Sequence, residues 1–198
     1  MDLDRISTRT AELAETFGVR TPEVVAGKVP AYATERLRLS FRLGQPILTV
    51  GAGFDDLPPI EQVGALANAL LVANLVRTGQ TKLALAFAVP FLLICFPLLY
   101  LCFYHGYPAW VTLSVFAAFY VIWHLLTVGL RLRRIGYRVD QKVAEVMGRE
   151  VVDAMIDHDI RNRPSLPALA RLYYTIYWPS ETQRTQRLDA TFGPRTTV

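Results

Sequence analysis

The chain has 198 residues, a formal net charge of +4 and a hydrophobic fraction of 52%. Because the basic residues are scattered rather than clustered, so mild a charge does not indicate a nucleic-acid-binding protein. The two cysteines, Cys95 and Cys102, lie seven residues apart on one side of an apolar segment, which a single helix cannot bridge, and packing is the expected role.

The first 50 residues predict one helix and a small sheet. An amphipathic helix is expected over 6–17, with Asp4 or Ser7 as N-cap and Gly18 as its end. Strands are expected over 23–26, 35–43 and 47–50, with a turn at 44–46. Strict alternation of apolar and basic or polar residues over 35–43 is typical of a half-exposed strand. We expect a small antiparallel sheet.

A helix is predicted next, over 60–78. Asp55 and Asp56 supply candidate N-cap oxygens, and Pro58 with Pro59 presets the backbone of the first turn. Gly79 is expected to interrupt the helix shortly before the most apolar part of the chain.

Two apolar runs within 83–130, separated by a tight turn at 105–108, dominate the sequence. Each run is about 22 residues long without a charge, the length that a helix needs to cross a hydrocarbon core of about 30 Å. Buried core helices are the alternative, but these normally keep a polar stripe. Pro90 and Pro97 fall in the first run, and membrane helices tolerate proline. The pattern predicts a transmembrane hairpin.

The orientation of this hairpin follows from its flanking charges. The turn carries no basic residue, whereas both outer flanks do, and by the positive-inside rule both termini face the cytoplasm. The basic flanking residues are Arg77, Lys82, Arg131, Arg133, Arg134 and Arg138. The amino terminus lacks a basic segment followed by an apolar one, so no cleaved signal peptide is expected. The predicted location is the plasma or inner cell membrane, as a multi-pass protein.

The remainder is predicted to be helical, over 131–147, 150–160 and 168–177, with a last short helix that the capping-box pattern at 180–183 begins. In the second of these helices, Asp153 and Asp157 are interpreted as a solvated face balanced by Arg161 and Arg163. The fold class is therefore α+β and mostly helical. Residues 1–82 and 131–198 form one cytoplasmic domain, and 83–130 form the inserted hairpin.

Four short strings lie in a fixed order around the hairpin: 31–34 before the second strand, 47–54 leading to the next helix, 136–140 after the hairpin, and 178–184 near the end. In this order they resemble the HtpX-like membrane zinc metallopeptidases, the gluzincin group that also contains the CAAX prenyl protease. The resemblance implies a metallopeptidase-like domain over nearly the whole chain.

The resemblance also implies that the catalytic groups are missing. Asn68 and Val72 stand where the family has its two zinc-binding histidines, Ala69 where it has its glutamate base, and Gly136 where it has its third ligand. Trp178 replaces a histidine, whereas Asp140 and Arg184 match the family's supporting residues. Asn68 is a candidate to hydrogen-bond Asp140 in place of the metal. Alanine, valine and glycine supply no lone pair, and catalytic zinc needs about three ligands and a base. No metal or cofactor is expected.

His124 lies deep in the second apolar run, where a polar side chain is either functional or a neutral histidine bonded to a neighbouring helix. The aromatic series at 173–178 is either an interfacial or partner surface or core filling. The residues predicted to contact a partner or the membrane are Phe91, Phe96, Tyr100, Phe116, Tyr120, Trp123 and His124.

Together these features predict a catalytically inactive, peptidase-like integral membrane protein. It would act as an accessory, structural or regulatory subunit of a larger membrane complex, such as a transporter. Its partners would be that complex and the lipid bilayer. Two alternatives stay open: an active membrane zinc metallopeptidase with displaced ligands, and a stand-alone membrane scaffold or lipid-surface binding protein.

Overall fold

The computed structural model describes residues 2–30 and 33–195, and over 79–87 it describes the backbone without the side chains. Helix α1 spans Leu3–Phe17. Its N-cap is Asp2, whose side chain accepts a hydrogen bond from the Arg5 backbone N–H at 3.0 Å. The predicted caps, Asp4 and Ser7, are wrong because the helix begins earlier. Gly18 ends it, as predicted, in the left-handed conformation at φ 63°.

Three strands form one mixed sheet in the order β1-β3-β2: β1 Glu23–Ala26, β2 Leu37–Arg42 and β3 Gln45–Val50. Strands β2 and β3 are antiparallel because a tight turn joins them, and β1 runs parallel to β3. The prediction of a wholly antiparallel sheet is wrong: the chain reverses once between β1 and β2 and again before β3. Tyr32 and Ala31, in the first resembling string, lie outside the described residues.

The β2–β3 turn is one step earlier than predicted. It is made by Leu43 and Gly44, at φ 49° and 77°, and Pro46 already belongs to β3, opposite Phe41. Leu43 is therefore 98% exposed instead of sharing the buried side of β2.

Helix α2 spans Pro59–Tyr104 as one element of 46 residues. No side chain caps it, since Asp55 instead pairs with Arg5 at 3.1 Å. The predicted N-cap is therefore wrong. The predicted interruption at Gly79 is also wrong, because the helical backbone continues through this position.

The remaining elements are helical. Helix α3 spans Ala109–Met147, and the chain then forms α4 Arg149–Asn162, a 3-10 turn Arg163–Ser165, α5 Ala168–Tyr177 and α6 Glu181–Phe192. Ser180 caps α6 by accepting from the Gln183 backbone N–H at 3.3 Å, as its sequence pattern predicts.

Two groups of buried apolar residues form the core. The first packs α1 and the sheet against the start of α2, through residues such as Ile6, Leu48 and Leu66. The second joins α2, α3, α4 and α6, through residues such as Val139 and Val152. The first half of α2 and the second half of α3 are therefore structural centres of the domain.

The other halves of these helices form the hairpin. Where side chains are described, Pro59–Thr78 and Ala109–Met147 are long and apolar enough to cross a membrane, and Ala88–Tyr104 is a shorter apolar helix. In the most apolar window of Pro59–Thr78 44% of the residues are buried, and in that of Ala109–Met147 none is. Packing in the domain core explains the first segment but not the second. The predicted first span begins at Leu83, and the side chains of 83–87 lie outside the described ones.

Aromatic side chains join the two arms of the hairpin. The Phe91 ring stacks on Phe119 at 5.7 Å between centroids and meets Tyr120 edge-on at 5.9 Å. Cys95 and Cys102 are both buried and free.

Candidate functional site

A cleft of about 310 Å³ opens between the sheet and the helices α2, α3, α4, α5 and α6. Polar groups lie at its inner end, and most of its walls are apolar. The lining residues are Ala33, Thr34, Glu35, Leu37, Leu39, Asn68, Ala69, Val72, Leu132, Asp159, Tyr173, Tyr174, Trp178 and Arg184. The volume lies at the lower end of the range of small-molecule sites.

The floor of the cleft is a buried ion cluster. Arg184, 2% exposed, donates from Nε and Nη2 to the two carboxylate oxygens of Asp140, both at 2.8 Å. Its Nη1 donates to Asp159 at 2.7 Å. These carboxylates hold the pKa of Arg184 above its usual value, although burial opposes this. Burial raises the pKa of Asp159 in spite of the arginine. Charges this deeply buried are stable only as a hydrogen-bonded set.

Glu35 is the second acid of the cleft. The residue is partly exposed, and its carboxyl group accepts a hydrogen bond from Asn68 Nδ2 at 3.3 Å. Burial, together with the neighbouring charge of Asp159, raises the pKa of Glu35 to about 8. In the free protein at neutral pH this group therefore mostly keeps its proton.

The hydrogen bond of Asn68 differs from the one that the sequence suggests. As a residue at a former metal position, it was a candidate to bond Asp140. In the structure both oxygens of Asp140 accept hydrogen bonds from Arg184. Asn68 donates to Glu35 instead, so the expected hydrogen bond between Asn68 and Asp140 is wrong.

The four positions that the resemblance assigns to lost catalytic groups are not all equivalent. Asn68, Ala69 and Val72 line the cleft. Gly136 is buried in α3, where a Cβ atom would come within 3.0 and 3.1 Å of the Pro179 ring and within 3.6 Å of Trp178. No room is left at 136 for a longer side chain unless Pro179 moves.

A smaller chamber of about 10 Å³ lies behind Glu35 and is lined by Glu35, Glu61 and His158 among others. His158 is 6% exposed, and its Nδ1 lies 2.6 Å from Glu61 Oε2. Glu61 also pairs with Arg161. Within the described chain, His158 Nε2 has no hydrogen-bond partner. The chamber is close to the size of one water molecule.

Three aromatic residues form one wall of the cleft: Tyr173, Tyr174 and Trp178, referred to below as the aromatic wall. The rings of Tyr173 and Tyr174 meet edge-on at 6.4 Å. Burial and the nearby acids Glu35 and Asp159 raise the pKa of Tyr174, so its hydroxyl stays protonated.

The seven predicted contact residues of the hairpin divide into two groups. Phe96, Tyr100 and Tyr120 are exposed. The half-buried residues are Phe91, Phe116, Trp123 and His124. Within this second group, Trp123 stacks on Phe119 at 6.0 Å, and His124 stacks on Tyr120 at 6.0 Å.

Sequence reasoning missed the acids of the cleft. Glu35 appeared only as the start of a strand, and its neighbours Asn68 and Asp159 are remote in sequence. The solvated face proposed for Asp153 and Asp157 is wrong in its partners: Asp153 is buried against Arg149 at 3.1 Å, and Asp157 binds Arg195 at 3.0 Å. Asp159, which lines the cleft, belongs to an Asp-His-Asp segment of α4 that follows Asp153. The spacing of these acids is not typical of any known kind of site, so the sequence did not indicate the cleft.

Comparison with protein-family models, curated proteins and solved structures finds no match for this chain. What the cleft can do follows from its own residues. The cleft has a protonated acid at Glu35, a second acid at Asp159, and apolar sides next to the aromatic wall.

Proposed function

We propose that this chain is a catalytically inactive, peptidase-like integral membrane protein that serves as an accessory subunit of a larger membrane complex, such as a transporter. The hairpin anchors and docks it, and both termini lie in the cytoplasm. The observation that carries the proposal is the exposure of the hairpin: in the most apolar window of Ala109–Met147 no residue is buried by the protein itself.

The shape of this exposed surface favours a protein partner beside the lipid. On the first arm, large aromatic residues follow one another at helical spacing and point outward. We call them the outer stripe: Phe96, Tyr100, Phe103 and Tyr104, each at least 67% exposed. Aromatic side chains are the usual anchors of protein interfaces, because they bury a large area with few rotatable bonds.

The packing around Gly136 supports the absence of catalysis. In the resembling enzymes this position supplies a metal ligand, and here Pro179 and Trp178 occupy the space into which such a side chain would extend. An active enzyme would need zinc ligands from other positions of the chain to stand in for Asn68, Ala69 and Val72. Ala69 and Val72 offer no donor atom, and the side-chain amide of Asn68 is a poor zinc ligand.

The basic flank of the second arm supports the orientation. Arg133 Nη2 donates to the Thr175 backbone oxygen at 3.1 Å, which fixes α5 beside the point where α3 leaves the domain. Arg131 and Arg134 lie on the same turn, and a cytoplasmic membrane surface attracts such residues.

The test is purification of the full chain in mild detergent, followed by size-exclusion chromatography and mass spectrometry. We expect the wild type to purify in a stoichiometric membrane-protein complex. The double variant Phe96→Ala, Tyr100→Ala should not form this complex. The matched control is Leu126→Ala, Leu130→Ala, which truncates two exposed apolar residues four apart on the other arm and leaves the complex intact.

Two results would contradict the proposal. A chain that purifies alone and remains membrane-bound would be a scaffold or lipid-surface protein. Bound zinc with chelator-sensitive proteolysis would identify an active metallopeptidase.

A further inference from the structure

The cleft combines features that the proposed docking function does not use. It has a polar inner end, an aromatic wall and apolar sides from the sheet and α2, in a volume of about 310 Å³. This is the composition of a site for a small amphipathic molecule, with a few polar groups that orient it and apolar surfaces that enclose it.

The charges at the inner end are not balanced. Three arginines of this part of the protein are already engaged with other acids: Arg161 with Glu61, Arg163 with Glu181, and Arg184 with Asp140 as well as Asp159. Among the described residues, no arginine or lysine forms an ion pair with Glu35. Arg184 therefore pairs with both Asp140 and Asp159, whereas Glu35 has no ion-pair partner among the described residues.

A second observation points to the same end of the cleft. His158 is almost fully buried, and it lines the small chamber together with Glu35, with Nε2 lacking a protein partner in the described chain. Its Nδ1 faces Glu61 at 2.6 Å, so Nε2 is a buried polar atom beside Glu35 that no other group of the described chain satisfies. The two acids Asp159 and Glu35 favour a proton donor or a positive group at the inner end.

We propose that the cleft binds an organic ammonium ion, whose charged group lies between Glu35 and Asp159. Its apolar body packs against the aromatic wall, whose ring faces attract cations and cover hydrocarbon. The acids favour an ammonium ion over an anion, since an anion would lie beside Glu35 and Asp159, and Arg184, the arginine among the described lining residues, is already paired with Asp140 and Asp159.

Binding is coupled to a proton. The titratable and charged groups around Glu35 are Asp159 from α4, Arg184 from α6 and Tyr174 from α5, with His158 and Glu61 across the chamber. In the free cleft Glu35 is mostly protonated below about pH 8. An ammonium ion favours the carboxylate, so the carboxyl O–H bond breaks, the ion pair forms and the proton leaves to the buffer. Affinity therefore increases with pH as Glu35 ionises, by at most about tenfold per unit.

The experiment is isothermal titration of the full chain in phosphatidylglycerol nanodiscs with 2-phenylethylamine, with 2-phenylethanol as its uncharged counterpart. We expect the amine to bind at least about tenfold more tightly than the alcohol, as charge-assisted hydrogen bonds require. We also expect its affinity to rise from pH 6 to pH 8, with proton release seen as a dependence of heat on the buffer. Equal binding of amine and alcohol would overturn the proposal without any variant.

Variants assign the role to Glu35. Glu35→Gln keeps the size and removes the charge, and we expect it to lower the affinity for 2-phenylethylamine about tenfold or more and to abolish the pH dependence. Glu150→Gln, the same change at an exposed residue, is the control and should behave as the wild type. An unchanged affinity in Glu35→Gln would exclude this site.

The ammonium group can belong to a free amine or to a lipid headgroup. Repeating the titration in nanodiscs that contain phosphatidylethanolamine separates these sources. Weaker binding of 2-phenylethylamine there identifies the lipid as a competitor for the cleft, and an unchanged affinity identifies a free amine.

Discussion

The two halves of helices α2 and α3 lie in opposite environments. In the domain, Ala67, Val139 and Val143 are at most 1% exposed, whereas in the hairpin Phe103 is 80% and Trp110 71% exposed. Hydropathy alone does not separate these regions, since Pro59–Thr78 also passes the length and composition criteria for a membrane span. The length of an apolar helix therefore shows whether it could cross a membrane. Which half of the helix is buried in protein depends on the elements that pack against it.

Polar groups differ between the regions in the same way. The inner half of α3 carries Asp140, which is stable there because Arg184 satisfies both of its oxygens. The outer halves carry no such ion pair among the described residues. Each prediction below changes one side of this contrast.

The largest effect is expected from breaking the buried ion cluster. Arg184→Met leaves Asp140 and Asp159 without their cation inside the protein, and removing one partner of a buried pair costs about 3–5 kcal/mol. Chemical denaturation of the full chain in detergent measures this. Arg9→Met, which removes an exposed pair with Glu12, should cost about 0–1 kcal/mol. Similar losses in both variants would mean that the floor of the cleft is solvated.

A charge placed on the hairpin should have the next largest effect. Ile122, 57% exposed near the middle of the second arm, is replaced by Asp. In a membrane this costs about 2.5–3.5 kcal/mol of insertion free energy, and in water it would cost little. The measured quantity is the fraction of chain integrated into membranes. Leu169→Asp, on an exposed face of α5, is the control and should integrate normally, and equal integration of both variants would argue against the second span.

Two glycines of α3 allow a smaller and more local test. At Gly136 a methyl group meets the rigid Pro179 ring at 3.0 Å, so Gly136→Ala should destabilise by about 1–3 kcal/mol through overpacking. At Gly129 the nearest atom is the Ile176 backbone oxygen at 3.5 Å, an ordinary contact, and Gly129→Ala should be neutral or gain up to about 1 kcal/mol from helix propensity. Equal melting temperatures for these two variants would contradict the tight packing at 136.

The final prediction concerns pH and the buried acid Glu35. The pKa of Glu35 rises from about 4.5 to about 8 on folding, so its contribution to stability is complete below the lower value and is lost as pH rises through the higher one. The ligand-free wild type should therefore lose unfolding free energy between about pH 4.5 and 8 relative to Glu35→Gln. Denaturation curves of both proteins across this range give the difference, and parallel curves would place the Glu35 carboxyl in solvent.

The sequence predicted local elements better than their arrangement. The Gly18 end of α1 and the Ser180 cap of α6 depend on one or two neighbouring residues, and both are confirmed. The mixed sheet and the unbroken α2 were missed, because strand direction depends on chain reversals and helix continuity on tertiary packing. The cleft was missed in part, because Asn68 meets Glu35 across 33 positions of the chain.

The continuity of α3 has a mechanical consequence. One helix of 39 residues, with a length of about 58 Å at 1.5 Å per residue, includes Trp110 at the hairpin turn, Leu132 in the wall of the cleft and Asp140 beneath it. A straight helix transmits rotation and tilt along its length. A tilt of the hairpin arm of α3 would therefore also displace Leu132 and change the width of the cleft.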